Sequence, residues 1–142
     1  MNQLEKAIVI ALEAHQGVLD KSGKPYILHP LHLMMQMDTE EAQITAVLHD
    51  VVEDSHITLE DLADLGFPAT VLDALALLTH DRESLAYQDY IEGINGNALA
   101  RQIKLADLKH NMDSRRLPIP LTERDWERLQ RYRLAWETLA ET

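Results

Sequence analysis

His49 and Asp50 stand side by side in the apolar run Ala46-Val47-Leu48-His49-Asp50-Val51-Val52. An imidazole and a carboxylate in such surroundings cost free energy unless each is partnered. A divalent cation partners both, because neutral imidazole and carboxylate are good metal ligands. Adjacent residues on an α-helix point about 100° apart, so the pair grips an ion only from one edge and further ligands must come from elsewhere. Two residues offer themselves. His29 precedes Pro30 at a helix-start position from which a side chain can point inward, and Asp107 lies beside apolar residues in Ile103-Lys104-Leu105-Ala106-Asp107. His29, His49, Asp50 and Asp107 together make a two-nitrogen, two-oxygen site with room for water. That mix suits one divalent ion, manganese first, with iron, magnesium and zinc as the other choices. Taken singly, each residue is better explained as a hydrogen-bonded core histidine or a helix-stabilising acid; taken together, the four point to a metal.

Glu53 and Asp54 follow one helical turn later, Glu53 on the face of His49 and Asp54 on that of Asp50. Acids at a helix C-terminus oppose the macrodipole, so helix stability does not account for them. Solvated helix-end charge is the plain explanation. The chemical one sets them at the open side of the ion, where they orient a water, take its proton and return one to a leaving oxygen.

These side chains need a scaffold, and the patterning predicts helices almost throughout. Leu4, Ala7, Ile8, Ala11, Leu12 and His15 recur at three and four residues and form a first helix ended by Gly17. Residues 20–25 read as a loop. Pro30 opens a short helix through Met37, and Asp38 or Thr39 caps the next, expected from Glu40 to Asp54. Thr58 to Asp61 has capping-box spacing, with a stop at Gly66. Pro68 starts a helix with Val71, Leu72, Leu75 and Leu78 buried. Ser84 is expected to cap a helix through Ile94, and Asn97 one reaching about Met112. After the breaks at Pro118 and Pro120, Thr122 opens a last helix with Trp126, Leu129, Arg133 and Trp136 on one face, read as packing on the core. Met34, Met35 and Met37 read as pliable core. No segment alternates like a half-buried strand, and there is no internal repeat or dividing linker. The expectation is one all-α domain over residues 1–142, of seven to nine helices.

The chain has 142 residues, 46% hydrophobic, and only seven aromatics, so the core must be mostly aliphatic. Without cysteine, disulfides, thiolate zinc sites and cysteine nucleophiles are excluded. No apolar run approaches the ~20 residues of a membrane helix, and no signal-peptide pattern opens the chain; a cytoplasmic location is the default expectation. The formal net charge of −11 argues against a nucleic-acid polymer as partner. That charge is uneven: residues 25–81 hold eleven acids and no lysine or arginine, whereas residues 101–133 hold nine bases against five acids. Two solvated surfaces explain this; so does a cation-collecting half beside a half that tolerates phosphate. Nothing in the sequence sets an oligomeric state.

Four ordered blocks carry a resemblance. They are Ala14-His15-Gln16-Gly17; Ser22-Gly23-Lys24-Pro25-Tyr26-Ile27-Leu28-His29-Pro30-Leu31; Leu48-His49-Asp50-Val51-Val52-Glu53-Asp54; and Lys104-Leu105-Ala106-Asp107-Leu108-Lys109-His110-Asn111-Met112. Together they resemble the HD-superfamily hydrolase domain of RelA/SpoT homologues, and a stand-alone domain of this kind resembles the small alarmone hydrolases. The resemblance implies a manganese-dependent pyrophosphohydrolase that removes the 3′-pyrophosphate of guanosine tetra- or pentaphosphate, a small phosphorylated nucleotide. By family pattern His29, His49, Asp50 and Asp107 hold the metal, and Glu53 and Asp54 are the catalytic acid pair. Lys21 matches a basic residue near the substrate phosphates, Asn111 one that contacts the ribose, and Tyr26 belongs to the same pocket-forming loop. Lys104, with Lys21, offsets phosphate charge.

The chain departs from the pattern in the loop. The family carries arginine, stacked on guanine, immediately before the lysine; here Asp20 occupies that place. An aspartate supplies no cation–π contact; it either accepts from guanine N–H groups or faces solvent. The usual Arg-Leu after Ala-Asp is Leu108-Lys109. Two alternatives therefore stand beside the alarmone reading: a phosphohydrolase for another nucleotide or phosphate ester, and a metal-stabilised nucleotide-binding module without turnover. The intact acid pair speaks against the second.

Overall fold

The computed structural model describes residues 1–141. Apart from one antiparallel bridge between Leu19 and Pro25, its regular elements are all helical. In chain order they are α1 (Gln3–Ala14), α2 (Leu28–Met35), α3 (Glu40–Leu48), α4 (Val51–Asp54), α5 (Leu59–Asp64), α6 (Ala69–Leu78), α7 (Tyr87–Asn95), α8 (Ala98–Asn111) and α9 (Glu123–Ala140), with a 3-10 turn at Ser114–Arg116. The all-α expectation holds. Several expected caps are made. Thr39 Oγ1 accepts from the Ala42 N–H at 3.1 Å and Asn97 Oδ1 from the Ala100 N–H at 2.9 Å. Thr58 and Thr122 each close a reciprocal capping box with the aspartate three residues on. Such caps contribute about 1 kcal/mol apiece.

The helix expected from Glu40 to Asp54 is broken at its functional pair. His49 donates its N–H back to Ala46 O at 3.4 Å, an i to i−3 contact, and Asp50 sits at φ −105°, ψ 0°. The regular ladder resumes with Asp54 N–H to Asp50 O at 3.0 Å. In an unbroken helix the Ala46 carbonyl would accept from the Asp50 N–H. Here it accepts from the His49 ring as well, Nδ1 to O at 2.7 Å, so a side chain supports the break.

Other expectations shift. α2 begins at Leu28, and Pro30 sits in its first turn, where its missing N–H is not needed. Ser84 does not cap α7; it hydrogen-bonds the Asp81 carboxylate, whose backbone carbonyl accepts from Leu85, and α7 starts only at Tyr87. Met35 is exposed, whereas Met34 and Met37 join the core. On α9 the core-facing stripe is Ala135 and Leu139, buried, with Tyr132 and Trp136 partly buried beside them, whereas Trp126 is exposed.

Two aliphatic clusters share α3 and α6. One joins α1, α3, α5 and α6 through Ala7, Val47, Leu48, Leu62 and Leu75; the other joins α2, α7, α8 and α9 through Leu33, Ile91, Ile103 and Leu139. α3 lies between them, with six of its nine residues buried. A helix covered nearly all round shows little amphipathic contrast, and the small Ala42 and Ala46 let neighbours approach closely. The His49 break thus sits at the end of the most buried helix, where α2 and α8 also meet. Among the described residues no helix is long and apolar enough to cross a membrane.

Candidate functional site

Three segments deliver the chemistry. The first is the loop between α1 and α2, folded on itself by Tyr26 N–H to Val18 O (2.8 Å) and Asp20 N–H to Lys24 O (2.7 Å). Gly23, at φ +79°, makes the left-handed turn that side chains resist. Asp20 neither stacks nor faces open solvent: its Oδ1 accepts from the Ser22 and Lys24 N–H groups at 2.9 and 3.0 Å, an Asx-type closure of the loop. Its Oδ2 lies 4.0 Å from the Arg116 guanidinium, and Ser22 Oγ donates to the Arg116 carbonyl. The loop presents Tyr26 and, one turn on, buried His29. The second segment is the α3–α4 break. The third is α8, which carries Lys104, Asp107, His110 and Asn111 along one flank.

These segments converge. His29 Nε2 is 2.8 Å from Asp107 Oδ1. His49 Nε2 is 3.1 Å from Asp50 Oδ2 and 3.5 Å from Asp107 Oδ1. Donor atoms of His29, His49 and Asp50 lie within 4.8 Å of one another, a group able to hold a metal ion; Asp107 abuts both histidines of that group. Because the Ala46 carbonyl can only accept, His49 Nδ1 carries hydrogen. Its Nε2 is buried without a hydrogen-bond partner and faces two carboxylates. That arrangement calls for positive charge between them. Without a metal a proton serves: burial would lower the His49 pKa, but Asp50 and Asp107 outweigh it and raise it well above the usual value. Burial likewise opposes ionisation of Asp50, yet His49 and the Tyr26 hydroxyl hold its pKa down to about 2. Lys104, with the two histidines, keeps Asp107 far below the carboxylate range.

The flanking residues divide by what they touch. Lys104 Nζ is 2.9 Å from Asp107 Oδ2 and 5.3 Å from the Tyr90 ring centre. Asn111 Nδ2 donates to Asp107 Oδ1 at 3.1 Å, and Tyr26 donates its hydroxyl to Asp50. So these three, expected at substrate, also brace the carboxylates. Lys21 lines the cleft from the loop. Glu53 Oε1 accepts from the His80 N–H at 2.8 Å, with the Arg82 guanidinium 3.7 Å from Oε2. The Asp54 carboxylate makes no hydrogen bond among the described residues. Burial, then Asp50 and Glu53, pushes its pKa up to about 6.

A cleft of about 720 Å³ opens over Asp50, Glu53, Asp54 and Asp107, and its far wall is α9, which contributes Arg124, Arg128 and Arg131. A smaller cavity of about 320 Å³, lined by Leu19, Leu117, Leu129 and Tyr132, adjoins it across Lys21, Tyr26 and Asn111. Sequence reasoning missed the arginines, although their spacing of four and three on one helix was there to read, and it missed His80 and His110. His80 acts through its backbone, which no side-chain pattern reveals.

Comparison with known proteins bears on this arrangement. No protein-family model matches the chain. It is 31% identical over 125 residues to a GTP pyrophosphokinase of Myxococcus xanthus, covering 77% of this chain and 16% of that protein. It is 32% identical over 126 residues to the bifunctional (p)ppGpp synthase/hydrolase SpoT of Escherichia coli, covering 79% of this chain and 18% of that one. Among solved structures, a metazoan SpoT orthologue described as hydrolysing ppGpp superposes with a TM-score of 0.81 at 22% identity, over 98% of this chain and 85% of the other. The chain is thus similar in sequence to RelA/SpoT proteins over most of its own length, and in fold to the SpoT orthologue. It spans less than a fifth of the length of those two curated relatives. The sequence blocks that carry the resemblance lie in the loop, the α3–α4 break and α8, the segments that form the donor cluster.

Proposed function

We propose that this RelA/SpoT hydrolase-like domain is a divalent-metal-dependent pyrophosphohydrolase, with manganese as its ion and guanosine tetra- or pentaphosphate as its substrate. One observation carries the reading: the buried, unpartnered His49 Nε2 faces Asp50 and Asp107 beside His29, under a cleft rimmed by two acids and walled by arginines. The names of the relatives give the substrate class.

His29, His49, Asp50 and Asp107 would hold the ion. When bound, a divalent ion supplies Lewis acidity, making water a better nucleophile and offsetting charge on phosphoryl oxygens. The protein's own residues do the rest. Asp54, whose carboxylate is free of hydrogen bonds and whose pKa is raised by burial and by Asp50 and Glu53, takes a proton from the attacking water. The water oxygen bonds to the phosphorus attached to the ribose 3′ oxygen, and that P–O bond breaks. Asp54 returns the proton to the 3′ oxygen, leaving guanosine 5′-di- or triphosphate and pyrophosphate. Glu53, clamped by the His80 N–H, orients the water. Lys21 and the α9 arginines receive the phosphates, Asn111 faces the ribose, and Tyr26 closes the pocket between the two cavities. Lys104, paired with Asp107, adds its field from the floor.

Asp20 favours a second reading, another phosphorylated nucleotide, because its carboxylate is engaged in its own loop and presents no cation to a base. Metal-stripped and manganese-loaded protein incubated with guanosine tetraphosphate decides the matter. GDP and pyrophosphate should form only with manganese. Absence of turnover there, with turnover of another nucleotide in a panel, would replace the first reading by the second.

A further inference from the structure

A metal-ligating histidine ordinarily gives its other ring N–H to a carbonyl or carboxylate, which fixes its tautomer and orientation. His49 does so with the Ala46 carbonyl. His29 does not. Its Nδ1 lies 2.7 Å from Nδ1 of His110, while its Nε2 meets Asp107 at 2.8 Å. Two ring nitrogens at that separation share one proton. For His29 to offer a bare Nε2 to a cation, the shared proton must sit on His29 Nδ1, and His110 must present a bare Nδ1 to accept it.

We propose that His110 is a positioning residue of the metal centre: it accepts the His29 Nδ1–H and locks His29 in the tautomer whose Nε2 lone pair points into the donor cluster. This inference rests on the metal-dependent reading above. The geometry is built for it. His110 lies on α8 three residues after Asp107, so one helix supplies both a ligand and the group that orients the ligand facing it. The His110 ring is parallel to that of His29 within 4°, and it stacks on His32 with centroids 4.0 Å apart. Its backbone carbonyl accepts from Arg116 Nη1 at 3.1 Å. His29 and His32 both belong to α2, so the three imidazoles fasten α2 to α8 beside the cluster. The His110 ring nitrogen meets His29 Nδ1, on the side of that ring away from Asp107, so it acts through His29.

Isothermal titration of the whole chain with Mn2+ alone tests this, comparing the parent with His110→Leu and His110→Asn. Leucine and asparagine have the same shape, but only asparagine has an acceptor oxygen where Nδ1 stood. His110→Leu should weaken Mn2+ binding roughly 10- to 100-fold, the usual effect of losing such a partner, and His110→Asn should recover most of that loss. His110→Phe, which keeps a flat ring against His32 without an acceptor, should behave like leucine if the acceptor matters and like the parent if only stacking does. Metal-free unfolding midpoints report any general damage separately. Parent-like Mn2+ binding by the leucine variant, or equal weakening in leucine and asparagine, overturns the role of His110 while leaving the metal-dependent reading intact. A parent that binds no Mn2+ overturns that reading itself, and this one with it.

Discussion

Glu53 and Asp54 are neighbours in the chain but not equals in the cleft. Glu53 is held by the His80 N–H, whereas Asp54 is unclamped and has a pKa pushed up to about 6. If Asp54 is the proton acceptor, its anion is the active form, so kcat/KM should rise with pH through a value near or below about 6 and then level off. A bound cation shifts that inflection downward. Asp54→Asn should remove the inflection and cost about 10²–10⁴ in rate. Glu53→Gln should retain Mn2+ and lose less, because its amide oxygen still accepts from His80; pH–rate profiles of both variants measure the difference. Lys104 gives a second prediction. Removing one partner of a buried ion pair costs about 3–5 kcal/mol, so Lys104→Met should destabilise the metal-free protein in urea, and saturating Mn2+ should restore part of the loss by compensating Asp107. The proximity of His29, His49, Asp50 and Asp107 was legible because each is a charged or polar side chain amid apolar neighbours. That Lys104 turns its ammonium onto Asp107 was not, since a lysine three residues before an aspartate faces solvent as readily.

Among the elements, helix starts were legible at several side-chain caps, as at Thr39, Asn97 and Thr122, though the Asn2 capping box of α1 was not read. The α3–α4 break was not. Apolar periodicity runs unbroken from Ala42 to Val52, and the break depends on a ring-to-carbonyl hydrogen bond and on packing against α2 and α8. The end of α7 was legible to within a residue, but not its start, because Ser84 found Asp81 instead. α9 shows the limit of charge counting: its arginines are visible in sequence, and only the fold tells which of them face the cleft. Arg128→Ala combined with Arg131→Ala should raise KM about tenfold or more, hydrogen bonds to charged groups being worth about 1.5–3 kcal/mol. Mn2+ affinity should be unchanged, and steady-state kinetics with a parallel metal titration separates the two effects.

Across the whole molecule the charge asymmetry acquires a place. The acid-rich stretch supplies Asp50, Glu53 and Asp54, and the base-rich stretch supplies the opposite wall, so one cleft presents both signs while the chain carries −11. A ligand that binds only the folded state stabilises it by about 2.7 kcal/mol at a hundredfold excess over Kd. Mn2+ should therefore raise the melting temperature of the parent, and Asp50→Ala should abolish that rise; thermal scans with and without chelator read both. The link between the Asp20 loop and Arg116 has its own bearing on how such a domain can change. Asp20 folds its loop through two backbone donors and also faces a guanidinium 96 positions downstream. An arginine introduced alone at position 20 would unseat the turn and set two cations against each other. Asp20→Arg should accordingly lower the urea unfolding midpoint, and exchanging Arg116 for an acid in the same chain should recover part of that loss.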